Sequence, residues 1–353
     1  MGTALASGYQ GPPELTLTRA LTEWTLDPWM LALVVILGGA YLAGARRLRP
    51  GWPVARQIWF CGLGLGFLVI ATMSWVGVYQ AVLFYARAVQ TVLLVLVVPL
   101  FLALGRPITL ASTVFPRAGA RLQAGIRSPA SRVLTFPAIT ALALVGVPFV
   151  MYFTSWYTAV FHSDTVRELT YLALMAAGFV FFWTLLRVDP VPKEYPYGVS
   201  MWITGAEVIG DAFFGIAVIA TPTLIGGAYY EALGRPWGPS LRTDQVIGGG
   251  VLWILGDLVG LPFLAAQLVQ LMREDESDAA RIDAELDAQQ AELDARQATA
   301  YGPDLASEST GPADQAGPAD QAGPVEQAAD TEPARSKLWW EDDPRFTSRF
   351  KPT

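Results

Sequence analysis

The sequence predicts an all-α integral membrane protein with seven transmembrane helices, an outer N-terminus and a cytoplasmic C-terminus. Three observations predict it: apolar runs of spanning length, a mean hydropathy of +0.38, and basic residues that collect in alternate loops. Only 16% of the 353 residues are charged, whereas soluble domains carry about 25%. We therefore expect the lipid bilayer to surround most of the chain, and we expect no nucleic-acid partner.

The transmembrane spans are defined by apolar runs of about 20 residues, which cross about 30 Å of hydrocarbon as a helix. They are predicted at 28–45, 57–78, 82–104, 134–155, 167–186, 201–226 and 246–272. Residues 28–272 thus form the membrane domain. Residues 1–27 are polar and lack the basic and apolar regions of a signal peptide, so they are expected to stay attached outside the cell.

The basic residues of the short loops give the orientation, because cytoplasmic loops are enriched in Arg and Lys. The first and third loops contain arginines and no acid, and the fifth contains Arg187 and Lys193. The second loop has no charge, the fourth has His162 and Asp164, and the arginines of the sixth are balanced by acids. The first and third loops carry Arg46, Arg47, Arg49, Arg56, Arg106, Arg117, Arg121, Arg127 and Arg132. Loops one, three and five are therefore predicted to be cytoplasmic.

Acidic residues concentrate after the last span. Residues 273–353 hold 8 basic and 19 acidic side chains, a net charge of −11, whereas residues 1–272 hold 16 and 12. Ala, Glu, Gln and Arg favour helix, so a charged cytoplasmic helix is expected at 273–300. Its apolar stripe is too thin to predict a coiled coil, since it consists of Ile282, Leu286 and Leu293.

The last segment, 301–353, repeats GPADQA and is expected to be a disordered acidic tail, because Pro, Gly and acids cannot build a core. Its end combines aromatic and basic residues and either stays free or docks on the membrane surface or a partner. These residues are Leu338, Trp339, Trp340, Arg345, Arg349 and Lys351.

Ionisable groups are rare inside the predicted spans, where a charge costs at least about 2.5–3.5 kcal/mol. Arg87 lies in the third span, Glu207 and Asp211 lie four residues apart in the sixth, and Asp257 lies in the seventh. Carboxylates on one helical face should not both be ionised without a partner. Either Arg87 pairs with Asp211 or Asp257 and fixes helix packing, or the acids form a cation or proton site, or they line crevices without a specific role.

Metal-binding and catalytic patterns are sparse. Met73, Met151 and His162 lie toward the outer side, where thioether and imidazole ligands suit Cu(I); Asp211 is a further candidate ligand, and core packing is the alternative for all of them. Cys61 is the one cysteine, so no intramolecular disulfide or cysteine metal site is expected. The one histidine, His162, lies in a loop, so the chain cannot form an intramembrane Ser/His/Asp set or hold a haem between two histidines. Nucleotide-binding and HExxH motifs are absent from the sequence. We expect a protein without enzymatic activity.

Five segments, in order, resemble the CtaG family of cytochrome c oxidase assembly factors, which are seven-helix bacterial membrane proteins linked to copper delivery. The most specific is VLFYARAVQTVLLVLVVPLFLALGRPITLA at 82–111. The others lie at 26–49, 147–192, 211–219 (DAFFGIAVI) and 229–258. The resemblance covers 25–272 and implies oxidase subunits as partners, a bacterial cell membrane as location, and copper as the cofactor of the family.

The resemblance also shows where this chain departs from the family. The family pattern has a His-x-x-x-His pair around the glutamine that is Gln90 here, and further histidines in spans five and six. This chain holds Arg87, Thr91 and Asp211 at such positions, has Arg-Glu-Leu-Thr-Tyr at 167–171, and retains the acid of span seven as Asp257. Because a guanidinium in place of a ligand repels a cation, the resemblance implies a scaffold that has lost or changed copper binding.

Three functions remain open at this point. The first is an oxidase assembly factor that acts through protein contacts without holding copper itself. The second is a transporter or proton-coupled carrier whose charge relay is Arg87 with the intramembrane acids, although the two halves show no repeat. The third is a scaffold subunit of a respiratory complex that uses the tail as a docking arm.

Overall fold

The computed structural model describes residues 9–48, 50–193, 195 and 197–300, and this part of the chain contains helices and no β-strand. The helices are α1 (Leu17–Thr22), α2 (Pro28–Arg47), α3 (Val54–Gln57), α4 (Leu65–Met73), α5 (Trp75–Tyr79), α6 (Phe84–Val92), α7 (Val98–Leu104), α8 (Pro107–Val114), α9 (Pro116–Ile126), α10 (Pro129–Leu134), α11 (Pro137–Phe153), α12 (Trp156–His162), α13 (Asp164–Leu186), α14 (Tyr197–Ala220), α15 (Gly227–Leu233) and α16 (Leu241–Ala300). Wider π-helical turns, Ile58–Gly64 and Leu93–Val97, join α3 to α4 and α6 to α7. The predicted disordered tail, with its repeats and its aromatic and basic end, lies outside the described residues.

The prediction of a multi-pass membrane protein is confirmed. Among the described residues, 6 helices are long and apolar enough to cross a membrane: Pro28–Arg47, Val54–Tyr79, Phe84–Leu104, Asp164–Leu186, Gly198–Ala220 and Leu241–Arg296. They correspond to predicted spans one, two, three, five, six and seven. The predicted span 134–155 is occupied by α11, which has 17 residues, and α12 follows it after a bend of 72°. The count reaches seven only if this bent pair is one span, so the count and the orientation remain predictions.

Several predicted boundaries differ from the structure by a few residues, and two of them differ for reasons of local backbone chemistry. Span six was expected to continue to residue 226, but α14 ends at Ala220, because Pro222 lacks an N–H and disfavours helix at the residue before it. The chain then turns through Gly226, whose φ is 65°. The fourth span was expected to start at 134, but α11 begins at Pro137, a residue well suited to the first helical position.

The third span, α6 with α7, forms the centre of the bundle. It is 67% buried, whereas α2 is 28% buried. Gly178 of α13 packs directly on it, because a methyl group at this position would overlap the carbonyl oxygen of Val95. A small residue of this kind lets two membrane helices approach at backbone distance.

Contacts at one end of the bundle join the N-terminal segment to the even-numbered loops. The phenol of Tyr79 donates to the carbonyl of Pro13 at 2.9 Å, and the Thr25 N–H donates to the carbonyl of Met73 at 2.8 Å. Trp237, beyond α15, packs edge-on against Tyr79 with ring centroids 6.0 Å apart. The predicted outer segments therefore meet at one end.

The odd-numbered loops meet at the other end. Asp189, which follows α13, accepts the first N–H groups of α8, those of Ile108 at 3.1 Å and Thr109 at 2.9 Å. The phenol of Tyr41 donates to the carbonyl of Gly105 at 2.6 Å, and its oxygen also lies 3.1 Å from the carbonyl oxygen of Arg56. The segregation of the loops matches the alternation that the arginines predict.

The chain divides into two compact units, residues 1–284 and 285–353. The described part of the second unit, 285–300, belongs to α16, which also contains the segment 273–284 of the first unit. The side chains of the thin apolar stripe, Ile282, Leu286 and Leu293, are 49%, 57% and 52% exposed.

The contact between Gly178 and Val95 gives a test of the packing. Gly178→Ala should lower the free energy of unfolding by about 1–3 kcal/mol, because the added methyl group forces the two helices apart. The midpoint of thermal unfolding in detergent, followed by tryptophan fluorescence, measures the change. Gly146→Ala in α11 is the matched control, since a methyl group there meets nothing within 4 Å; equal midpoints for both variants would contradict the proposed close approach.

Candidate functional site

The candidate site is built around Arg87, in the first turn of α6. Asp244 fixes this turn, because its carboxylate accepts the N–H groups of Phe84 at 3.1 Å and Tyr85 at 3.0 Å. An ion pair of 3.2 Å with the buried Arg235 holds Asp244 in turn. Arg87 itself is 1% exposed, so its guanidinium lies wholly inside the protein.

Two glutamines hold the guanidinium. Nη1 of Arg87 donates to Oε1 of Gln80 and to Oε1 of Gln90, each at 2.7 Å. A guanidinium can only donate, so both amides must turn their oxygens toward it. Their Nε2 groups then donate to the phenol oxygen of Tyr171, at 2.6 Å from Gln80 and 3.1 Å from Gln90. The network joins the turn after α5 to α6 and α13.

The remaining surroundings of the guanidinium are soft and aromatic. Nη2 lies 3.6 Å from the sulfur of Met151, and the guanidinium carbon lies 6.0 Å and 5.9 Å from the ring centroids of Phe161 and Tyr171. Nε has no hydrogen-bond partner among the described residues. Cation–π contacts of this kind stabilise a desolvated cation by about 2 kcal/mol, which partly offsets the cost of burying the charge.

Polar contacts continue around this cage of aromatic side chains. Thr91 lies 3.2 Å from the phenol of Tyr152, and the phenols of Tyr157 and Tyr230 are 2.8 Å apart. Burial raises the pKa of Tyr230 in α15, so this phenol stays protonated at neutral pH. The cage therefore supplies neutral dipoles and no negative charge.

The predicted pairing of Arg87 with Asp211 or Asp257 is wrong. Its hydrogen bonds go to amide oxygens and a thioether, and the ion pairs of the described residues include none to Arg87. The physical reason is the location of the acceptors: Gln80 and Gln90 lie on or beside its own helix, whereas the acids lie on α14 and α16.

The acids form a second group at the contact of α14 with α16. A methyl group added to Gly256 would lie 2.7 Å from an oxygen of Asp211, and one added to Gly260 would lie 3.7 Å from an oxygen of Glu207. Glu207 is 3% exposed, and Oδ1 of Asp257 is buried without a hydrogen-bond partner in the described residues. The predicted intramembrane polar cluster is therefore two clusters, with Arg87, Gln90 and Thr91 in one and the three acids in the other.

The candidate copper ligands have unlike surroundings. Met151 faces the guanidinium of Arg87, a fixed positive charge that would repel Cu(I). Met73 is buried in the last turn of α4, and His162 is exposed, with its Nδ1 2.7 Å from the carbonyl of Thr158. The described residues contain no group of three or more His, Cys, Asp or Glu side chains that could hold a metal ion.

Sequence reasoning missed Gln80, Tyr152 and Tyr171 as members of the site. Gln80 was assigned to a short uncharged loop, and the structure turns that loop so that its side chain points back to Arg87. The seven-residue spacing of Gln80 and Arg87 is not a helical signal, because the chain turns after α5 and is extended at Leu83 between the two residues. Tyr171 lies on a different span and was noted only as part of the segment 167–171, where the resemblance placed histidines.

The fold and the site together define a multi-pass helical membrane protein with a neutral, aromatic cage around a buried arginine. The chain belongs to the family of cytochrome c oxidase caa3 assembly factors (Caa3_CtaG), whose family model matches residues 39–274. The resemblance seen in the sequence is thus confirmed.

Relatives of the chain occur in mycobacteria. Uncharacterized proteins Mb0105 of Mycobacterium bovis and MT0111 of Mycobacterium tuberculosis are each 33% identical over 297 residues, 81% of this chain and 45% of the relative. Uncharacterized protein ML1998 of Mycobacterium leprae is 29% identical over 299 residues, with the same shares of 81% and 45%. The chain thus spans less than half the length of these curated relatives. No solved structure matches it.

The network around Arg87 predicts the order of stability of three variants. Gln90→Leu should lower the free energy of unfolding by about 3 kcal/mol, because a buried cation loses an acceptor and the Ala71 carbonyl loses its donor. Arg87→Met should lower the free energy of unfolding by less than Gln90→Leu does, because it removes the desolvated charge together with its hydrogen bonds. The double variant should therefore unfold at a higher temperature than Gln90→Leu alone.

Thermal unfolding in detergent checks this order, with Gln123→Leu on exposed α9 as the matched control. A double variant less stable than either single variant would show that the two side chains do not depend on each other as described.

Proposed function

We propose that this protein assists the assembly of a cytochrome c oxidase through contacts with oxidase subunits in a bacterial cell membrane, and that it does so without holding copper and without enzymatic activity. Membership of the assembly-factor family supports the first part. The guanidinium of Arg87 beside the thioether of Met151 supports the proposal that copper is not held.

One observation carries the proposal that copper is not held: the guanidinium of Arg87. It is 1% exposed and is bonded to the oxygens of Gln80 and Gln90. A guanidinium in this position is a positive charge that repels a metal cation. The sulfur of Met151 lies 3.6 Å from Nη2 of Arg87 and accepts a hydrogen bond from it.

The proposal includes seven spans, with the N-terminus outside and the C-terminus in the cytoplasm. The bent pair α11 and α12 would be the fourth span, kinked by 72°. The separation of the N-terminal segment and even loops from the odd loops supports this arrangement. The arginines of the first and third loops then face the cytoplasm.

A carrier is the second candidate, and the acids between α14 and α16 favour it. Asp257 has a buried oxygen without a partner in the described residues, and an unsatisfied carboxylate oxygen inside a helical bundle is a candidate contact for a transported ion. A relay that includes Arg87 has no support, since none of the hydrogen bonds of Arg87 leads to these acids.

Deletion of this protein from its source organism should lower cytochrome c oxidase activity and haem a absorbance in isolated membranes, because the oxidase fails to assemble. Added copper should not restore either signal, and the plasmid-borne wild-type chain should restore both. Succinate dehydrogenase activity in the same membranes is the control for membrane quality.

The other outcomes separate the alternatives. Rescue by copper would mean that the protein handles copper despite Arg87. Unchanged oxidase would overturn the assembly role and favour the carrier. Stable copurification with the mature oxidase in equal amounts would identify a scaffold subunit, because an assembly factor leaves its product.

The topology predicts which residues a membrane-impermeant maleimide reaches in intact cells. With Cys61 replaced by Ser, a cysteine at the exposed Glu231 should be labelled from outside, whereas cysteines at Gln123 and Ser336 should react only after the membrane is opened. Labelling of Gln123→Cys and Glu231→Cys from the same side would contradict seven spans, because these two positions are separated by the fourth, fifth and sixth spans and the fourth is the bent pair.

A further inference from the structure

An apolar groove of about 260 Å³ lies between α2 and α8, at the end of the bundle where the odd loops meet. Leu37, Ala40 and Gly44 of α2 form one wall, and Leu110 and Val114 of α8 form the other. The walls are closely packed at their base, since a methyl group on Gly44 would lie 3.4 Å from the side chain of Leu110. The groove is therefore a shaped cleft between two helices.

The position of α8 is fixed by strong local constraints. Arg106 adopts a left-handed conformation with a φ of 54°, which reverses the chain after α7, and Pro107 starts the new helix. The carboxylate of Asp189 then accepts the first two free N–H groups of α8. Contacts within the protein therefore position α8, and no bound molecule is needed to hold this wall of the groove.

The base of the groove is apolar because its polar atoms are already bonded. The rings of Tyr41 and Phe60 are stacked with centroids 4.1 Å apart. The phenol of Tyr41 donates to the Gly105 carbonyl and accepts from Nε1 of Trp52 at 3.1 Å. The groove thus offers mainly carbon surface.

Exposed arginine side chains lie at one end of this groove. Phe115 lines that end, and the guanidinium carbon of Arg47 lies 5.4 Å from its ring centroid. Arg46 and Arg47 are exposed in the last turn of α2, and Arg117 is exposed at the start of α9. Residues 28–163 contain ten arginines and no Asp or Glu, and no ion pair to Arg46, Arg47 or Arg117 occurs among the described residues.

We propose that this groove binds an anionic phospholipid, with one acyl chain between α2 and α8 and the phosphate on Arg47. Arg46 and Arg117 add to the positive potential at the headgroup. The apolar cleft selects a lipid over free phosphate, and the unpaired guanidinium selects an anionic over a zwitterionic headgroup. The long side chain of Arg47 reaches the headgroup level while its stem covers Phe115.

The test uses the full chain in detergent and native mass spectrometry with phosphatidylglycerol and phosphatidylcholine. Arg47→Gln should weaken phosphatidylglycerol binding about fivefold and leave phosphatidylcholine binding unchanged. Arg121→Gln removes the same charge from an exposed part of α9 that does not line the groove, and it is the matched control with a smaller effect. Ala111→Phe places a ring in the groove from an exposed position and should weaken binding of both lipids, with the unfolding midpoint as the check on folding.

Three results would overturn the proposal. Equal losses for Arg47→Gln and Arg121→Gln would mean general attraction to a basic surface. Unchanged phosphatidylglycerol binding in the Ala111→Phe variant would mean that the acyl chain lies elsewhere. Displacement of the lipid by inorganic phosphate at equal concentration would mean that the headgroup alone is recognised.

Discussion

The guanidinium of Arg87 needs several acceptors at once, and the structure draws them from different spans. Gln90 comes from its own helix, Gln80 from the turn after α5, and Met151 from α11. Tyr171 of α13 orients both glutamines. Since a buried cation without acceptors costs several kcal/mol, these elements can pack in few other ways. The need to satisfy the cation thereby constrains the arrangement of the inner bundle in addition to its apolar contacts.

Aspartates perform a related task at the helix ends. A helix leaves its first N–H groups without partners, and in a bilayer no water replaces them. Asp27 accepts such groups at the start of α2, Asp189 at the start of α8, and Asp244 at the start of α6. The two later aspartates reach across 80 or more residues of chain, so they tie together segments that are distant in sequence. The caps make the ends of the bundle rigid, which in turn fixes the first turn of α6 and Arg87 within it.

Much of the fold follows from the sequence, because apolar length and arginine placement are properties of single segments. The start of α2 is marked by Asp27 and Pro28, and each loop that is predicted to be cytoplasmic is marked by its arginines. The bend between α11 and α12 and the end of α14 at Ala220 depend on local turns inside apolar runs, which hydropathy does not detect. Membership of the site was harder to predict. Arg87, Gln90 and Thr91 share one helix face and were identified together, whereas Tyr171 is brought in by tertiary packing. The pairing of Arg87 with an acid failed because opposite charge in the sequence carries no information about distance.

The buried arginine has a consequence for a protein that crosses a membrane. The membrane potential drives cations inward with about 2.3 kcal/mol per charge for every 100 mV, and any hydrated path through a helical bundle would dissipate it. The guanidinium of Arg87 is a positive charge in the interior that makes no ion pair with a carboxylate of the described residues. It raises the energy of any second cation that enters this region. The scaffold can therefore carry a polar centre, with glutamines, phenols and a hydroxyl, and still insulate against leakage of protons and metal ions.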